Sequence, residues 1–329
     1  PDLPVSITIG RLAADSITLA PEVLGQPVEG RLTAALGLSG GEGSADLLLE
    51  RLDDGPSGRI ALTASYSNAS QTLAIDLGAT EGANGLVVNA LGIPGRPEAE
   101  LTVKGKGPFT GFIADLALST NGAPRLAGRV VTQSVTGQTG FAANLAGDLA
   151  PLFLPDYAEF FGPSVSLVAQ GTAHDDGRLD LTLAHLTAQA LDLTGALSLA
   201  ADGSPRSFDL QGRIAQPDGT AVLLPLTSDL PVRIQSADIA LGYDREDGDG
   251  WTTRASLTGL DRDDLRLSSL VLSGSGRILP GQFDANFRFG AEGLQPTDAA
   301  LSRALGSVLS GDAVVSYAAD TPGLSIPTL

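Results

Sequence analysis

The chain has 329 residues, 43% hydrophobic and 18% charged, a balance that excludes a disordered polymer and leaves ample material for a core. Acidic residues outnumber basic ones by 38 to 20, a formal charge of -18 that disfavours nucleic acid and anionic membrane surfaces as partners. Cysteine is absent, which removes disulfides, thiolate metal sites and cysteine nucleophiles and suits an oxidising compartment.

Methionine is absent too, and the opening Pro1-Asp2-Leu3-Pro4 has neither a charged nor an apolar leader region, so the expectation is an internal segment of a longer protein. No run approaches the roughly 18 apolar residues of a membrane span. The densest, Ala221 to Leu226, is broken by Pro225. What dominates instead is alternation. Ile60, Leu62, Ala64 and Tyr66 share one parity, followed by Leu73, Ile75 and Leu77, by Leu101 and Val103, and by Phe112, Ala114, Leu116 and Leu118. Leu179, Leu181 and Leu183, then Leu191, Leu193, Leu197 and Leu199, continue the pattern, as do Phe208, Leu210 and Ile214, and Phe283, Phe287 and Phe289. Their neighbours Arg59, Thr63, Ser65, Asp76, Thr102, Lys104, Asp115, Asp180, Asp192, Asp209 and Asp284 stand at the other parity. A strand sends alternate side chains to opposite faces, so these are strands of a sheet with one apolar and one wet side. Turn residues at Asp53-Asp54-Gly55, Asn121-Gly122, Asp175-Asp176-Gly177, Asp202-Gly203, Asp218-Gly219 and Asp247-Gly248 make an all-β antiparallel meander the economical topology.

Two segments carry helical spacing, Pro151 to Phe161 and Thr297 to Leu309, the second with Thr297 and Asp298 as cap residues. The sequence Leu24-Gly25 to Gly30 returns loosely at Leu305-Gly306 to Gly311 and more weakly at Phe161-Gly162. Such widely spaced copies suit a super-repeat of many strands closed by a short helical plug. The domains expected are 1–150, 151–296 opening on a short helix, and 297–329 as the start of a third repeat.

Catalytic patterns are few. Gly37-Leu38-Ser39-Gly40-Gly41 fits G-x-S-x-G, but Ala45 to Leu52 after it reads as a strand where a nucleophile elbow needs a helix. Gly105, Gly107 and Gly111 miss the dinucleotide spacing by one. The two histidines read as a solvated loop residue, His174, and a half-buried sheet residue at an apolar-parity position, His185. The acidic run Asp244 to Gly250 lacks the ligand spacing of a calcium loop and reads as a hairpin tip, and Asp261, Asp263 and Asp264 read as surface partners of Arg262 and Arg266. The expectation is therefore no enzyme, no cofactor and no metal.

A sheet with one apolar side packs on a second sheet, closes on itself, or curls partly and holds an apolar ligand. Ala64, Ala114, Gly195 and Gly212 stand at apolar parity where a packed core wants bulk, and aromatics are only 5%, which favours the third. Moving a lipid chain of about sixteen carbons from hydrocarbon to water costs on the order of 12 kcal/mol, at about 0.8 kcal/mol per methylene. An apolar face could shelter such a chain without any catalytic residue.

The pattern resembles the TamB family of envelope proteins, within the AsmA-like group of bridge-like lipid transfer proteins. The residues that carry the likeness are Ile17-Thr18-Leu19 with Leu24-Gly25 and Val28-Glu29-Gly30, and Leu91-Gly92-Ile93-Pro94-Gly95-Arg96-Pro97 before the strand from Glu98. Gly107-Pro108-Phe109-Thr110-Gly111-Phe112, Leu149-Ala150-Pro151-Leu152 with Phe161-Gly162, and Leu305-Gly306 add to it. The resemblance implies a long, curved, open U-shaped sheet of taco type in the periplasm, part of an inner-membrane-anchored protein. It also implies phospholipid as cargo, an outer-membrane barrel partner of TamA type reached through segments outside this chain, and a role in barrel and autotransporter assembly. The groove-lining candidates are Leu62, Leu73, Leu77, Leu116, Leu181, Leu183, Leu210 and Phe287. The alternative is a passive β-repeat stalk or adhesin segment with a closed core.

Overall fold

The computed structural model describes residues 6–19, 28–52, 57–108, 110–153, 155–226, 230–279, 282–318 and 321–328. The chain forms two compact units, Pro1–Asp156 and Tyr157–Leu329. Residues 297–329 fall within the second unit.

In the first unit the strands run β1 (Ile7–Leu19), β2 (Val28–Ser39), β3 (Glu42–Arg51), β4 (Gly58–Ser67) and β5 (Thr72–Glu81). Helix α1 (Leu86–Ala90) then precedes β6 (Ala99–Pro108), β7 (Phe112–Thr120), β8 (Ala123–Val135) and β9 (Gln138–Gly147), and α2 (Ala150–Phe153) follows. Each strand pairs antiparallel with the next, from Ile7 opposite Leu38 to Val135 opposite Gln138. Asn121 and Gly122, φ 50° and 71°, occupy the left-handed region that a two-residue hairpin demands.

The second unit begins with α3 (Ala158–Phe161) and continues through β10 (Val165–His174), β11 (Leu179–Thr187), β12 (Leu191–Leu199) and β13 (Pro205–Ala215). A short excursion, β14 (Val222–Leu223) and β15 (Arg233–Ile234), leads to β16 (Ser236–Asp244), β17 (Gly250–Arg262), β18 (Leu265–Leu279) and β19 (Gln282–Glu292). Then come β20 (Gln295–Pro296), α4 (Ala299–Leu305), β21 (Val308–Ala318) and β22 (Thr321–Thr328). The ladder passes over both excursions, because β13 pairs directly with β16 and β19 with β21. The fold is all-β and antiparallel, an open sheet with short helices.

Antiparallel strands alternate direction, so every second connection falls at the same end of a ladder. In both units one end carries tight turns, while the excursions at 82–98, 216–235 and 293–307 all lie at the other. The fully buried cores sit at that second end. In the first unit Val88 and Ile93 of the 82–98 excursion and Leu152 of α2 cluster with Ala99 and Leu118 of the sheet. In the second, Phe160 of α3 clusters with Val222, Ile234, Ala190 and Ala237. Each unit therefore has a plugged end and a turn end.

Helix α1 carries no start signal of its own. Its cap comes from β5: the Glu81 carboxylate accepts the backbone N–H groups of Leu86 and Val87 at 2.5 Å and of Val88 at 3.2 Å. The helix expected over Pro151–Phe161 is two helices with a 3₁₀ turn at Pro155–Tyr157 between them, since a proline has no N–H to give a continuing helix. At α4 the cap is Asp298, whose Oδ1 accepts Ala300 N–H at 2.8 Å and Leu301 N–H at 2.9 Å. Gly306, φ 71°, ends it earlier than the spacing suggests.

Candidate apolar binding face

Strand register turns the alternation into rows that cross each sheet. In the first unit, Leu47 faces Leu62, Leu62 faces Leu77, Leu77 faces Val103, and Val103 faces Leu116. In the second, Leu210 faces Leu241, Leu241 faces Thr253, Thr253 faces Gly274, and Gly274 faces Phe287. The candidates Leu62, Leu77 and Leu116 thus share one row and Leu210 and Phe287 another. Leu73 lies nearer the turn end, opposite Tyr66 and Gly107, and Leu181 opposite Leu197.

None of these candidates is fully buried, and none is fully exposed. Leu36 and Leu241 on the same faces keep 41% and 38% of their surface accessible. Large sheet residues that are fully buried, Val28, Leu118, Val165 and Leu267, stand at the plugged end. A second packed layer would bury the middle of the rows as deeply. Away from the plugged end the large apolar side chains of the face stay half-buried, while the small Ala34, Ala169 and Ala285 among them are buried.

Leu183 departs from expectation. Between Leu181 and Ala184 the register slips, so Thr182 and Leu183 together oppose Ala196. Ala184 and Leu186 resume the apolar parity, and Leu183 falls in with the wet face. The same bulge moves His185 off its expected apolar position: its Nε2 lies 3.2 Å from Asp192 Oδ1 on the wet side. His174 is no loop residue either. It ends β10, with Nε2 2.7 Å from Asp180 Oδ2, while the Ser198 hydroxyl donates to Asp180 Oδ1 at 2.5 Å. Those two bonds, the serine's first, hold the Asp180 carboxyl below the usual carboxylate range.

The glycines at apolar parity also need correction, because they are seats and not gaps. An ideal Cβ on Gly105 would lie 2.3 Å from Phe112 Cζ, on Gly195 2.9 Å from Leu210 Cδ2, on Gly212 3.0 Å from Leu193 Cδ1, and on Gly274 2.6 Å from Phe287 Cδ1. A neighbouring side chain lies across each of these strands.

The wet face is laced with cross-strand pairs, among them Lys104 with Asp76 at 3.0 Å, Arg129 with Asp115 at 2.7 Å and Arg288 with Asp312 at 3.0 Å. It also carries exposed apolar residues that the alternation did not announce, Ile113 opposite Val131 in the first unit and Val271 in the second. In the second unit this side holds a broad depression of ≈ 1020 Å³ lined by Asp180, Ser198, Asp209, Arg254, Arg277 and Asn286. The twist of a many-stranded sheet makes it saddle-shaped, so a hollow across the strands on the wet face follows. Its lining is mixed, since Leu181, Leu197, Phe208, Leu241, Tyr243 and Trp251 border it beside the polar residues.

The remaining patterns resolve simply. Gly37 to Gly41 lies at the β2–β3 hairpin, strand following strand, so Ser39 is on no nucleophile elbow. Asp261 pairs with Arg266 and Asp264 with Arg262. Among the described residues there is no group of three His, Cys, Asp or Glu placed to hold a metal, and no helix long and apolar enough to cross a membrane. The repeat copy at Leu24 to Gln26, the turn Asp53-Asp54-Gly55 and Phe109 lie outside the described residues. Tyr243 and Trp251 share the apolar face with Leu241 and Thr253 and were not marked by the sequence pattern, because the acidic run between them interrupts the alternation.

The fold and face define an open antiparallel β-sheet protein with an accessible apolar surface. No family model, curated protein or solved structure matches the chain.

Proposed function

We propose that this chain is a periplasmic segment of a bridge-like lipid transfer protein, anchored through other parts of its polypeptide in the inner membrane. It shelters phospholipid acyl chains on the apolar faces of its sheets and supports assembly of outer-membrane proteins and autotransporters. A barrel partner of TamA type would be engaged by segments outside these residues. The observation that carries the reading is the half-buried row Leu62, Leu77, Leu116 in a sheet whose large fully buried residues stand at its plugged end. An acyl chain laid there removes its own surface and that of the leucines from water. The work is solvation, and needs no catalytic group or cofactor.

A passive β-repeat stalk is the competing reading, favoured by the side chains that already lie across Gly105, Gly195 and Gly274. Native mass spectrometry of protein purified from cells separates the two. Copurified phospholipid is expected, lost in Leu77→Asp and kept in Ala117→Asp on the wet face, with circular dichroism checking that both variants fold. A photocrosslinker at Leu116 should capture lipid; capture of protein alone, with no bound phospholipid, would support the stalk.

A further inference from the structure

We infer that four aromatic rings at the turn end of the second unit, with Asp249, form the subsite for a zwitterionic phospholipid whose headgroup carries an ammonium. The inference rests on the acyl-sheltering reading and names the lipid class and its orientation. Phe208, Tyr243 and Trp251 face one another across β13, β16 and β17, and Phe287 lies one row inward over Gly274. Phe208 and Tyr243 stack at 5.5 Å between centroids, and Trp251 and Phe287 sit 5.6 Å apart. All four are half-buried on the apolar face, in a chain with only 5% aromatics. Ring faces carry negative quadrupole potential, and ammonium groups bind over them.

The charge beside this plate has the complementary sign. The Tyr243 hydroxyl donates to Asp249 Oδ1 at 2.7 Å, which brings a carboxylate to the outer edge of the rings. Asp244, Glu246 and Asp247 share that turn. The facing cations are Arg245, 3.9 Å from Asp249, Arg206, paired with Glu246 at 2.9 Å, and Arg277 beside Gly248. Carboxylates remain in excess, so an ammonium is favoured there over a purely anionic head.

Length agrees with the same orientation. From Trp251 to Leu257, which packs on the plug cluster, β17 spans about 20 Å at roughly 3.3 Å per residue. One leaflet of a bilayer's hydrocarbon core is about 15 Å deep, half of the full thickness. A chain of that length runs along the strands from the rings to the plug, its head at the turns.

Trp251 is the only tryptophan, so its fluorescence reports on the plate alone. The probes are lysophosphatidylcholine and lysophosphatidylglycerol of one acyl length, titrated as monomers into the full chain, and lysophosphatidylcholine brominated near the head or near the chain terminus. The expected result is binding about fivefold tighter for the choline lipid, with the head-proximal bromine quenching more strongly. Asp249→Asn should bring the two affinities together while lipid uptake persists, and Tyr243→Phe, which keeps the ring, should give the same change. Equal or tighter binding of the glycerol lipid by the unmodified chain overturns the headgroup assignment and leaves acyl sheltering intact. Stronger quenching by the terminal bromine overturns the orientation. Absence of any lipid uptake removes the functional reading beneath both.

Discussion

Phe112 and Gly105 are coupled as residues because the ring occupies the space a Cβ would need, 2.3 Å from its Cζ. Replacing Gly105 with Ala forces the ring off its rotamer, an overpacking cost of about 1 to 3 kcal/mol. Shortening the partner should relieve it. Gly105→Ala is therefore expected to destabilise on its own, and much less in the presence of Phe112→Ala, with a coupling of about 1 kcal/mol in a double-mutant cycle of urea denaturation. Additive costs would show that the ring does not use the glycine seat. The seats were illegible in the sequence: alternation gives parity, and parity alone cannot distinguish an empty position from one covered by a side chain of the adjacent strand. Leu183 shows the same limit. A single extra residue at Thr182 and Leu183 switches faces without any Gly or Pro in β11 to mark it, and the only local sign is Gly171 on the opposing strand, whose Cβ would meet Asp180 O at 2.2 Å.

Short helices in this chain exist by tertiary capping. Helix α1 is too short to be stable alone, and its first N–H groups are satisfied by Glu81, a buried carboxylate at the end of the preceding strand. Gly85 is obligatory beside it, since a Cβ there would lie 2.2 Å from Glu81 Cδ. Glu81→Ala should cost about 2 kcal/mol, the upper range for a lost cap, and Glu81→Gln less, because an amide oxygen still accepts. Hydrogen exchange at Leu86 to Val88 should accelerate in the alanine variant, and unchanged protection there would mean the helix stands on packing of Val88 alone. Long strands were legible because ten or more alternating residues outweigh any local ambiguity, and Leu62, Leu77, Leu116, Leu210 and Phe287 take their faces from that pattern. Helix α1 was not, because its cap is remote in sequence and LVVNA has no room to display a period. The break at Pro155 was legible in principle: a proline inside a helical spacing ends the helix before it.

Across the whole molecule, charge and hydrogen bonding set two different acid responses. The sequence is neutral near pH 4.3, where loss of net repulsion and an accessible apolar face both favour association. Several aspartates stay ionised there because they are held below the usual carboxylate range. Asp115 is lowered by the hydrogen bond from Arg129, Asp176 by the backbone and side chain of Arg178, and Asp180 by Ser198 and then His174. Asp202 and Asp218 are lowered by the hydroxyl and N–H of Ser204 and Thr220. A carboxylate with a depressed folded value adds stability that is complete above its unfolded value and is lost as pH falls through the folded one. For aspartate the unfolded value is about 3.9, so this loss begins below the neutral point. Turbidity should therefore peak near pH 4.3 with the far-ultraviolet strand signal intact, and that signal should fail only on further acidification. If strand structure were lost at or above the turbidity maximum, the bonded aspartates would not be what holds the hairpin ends and strand pairs in acid.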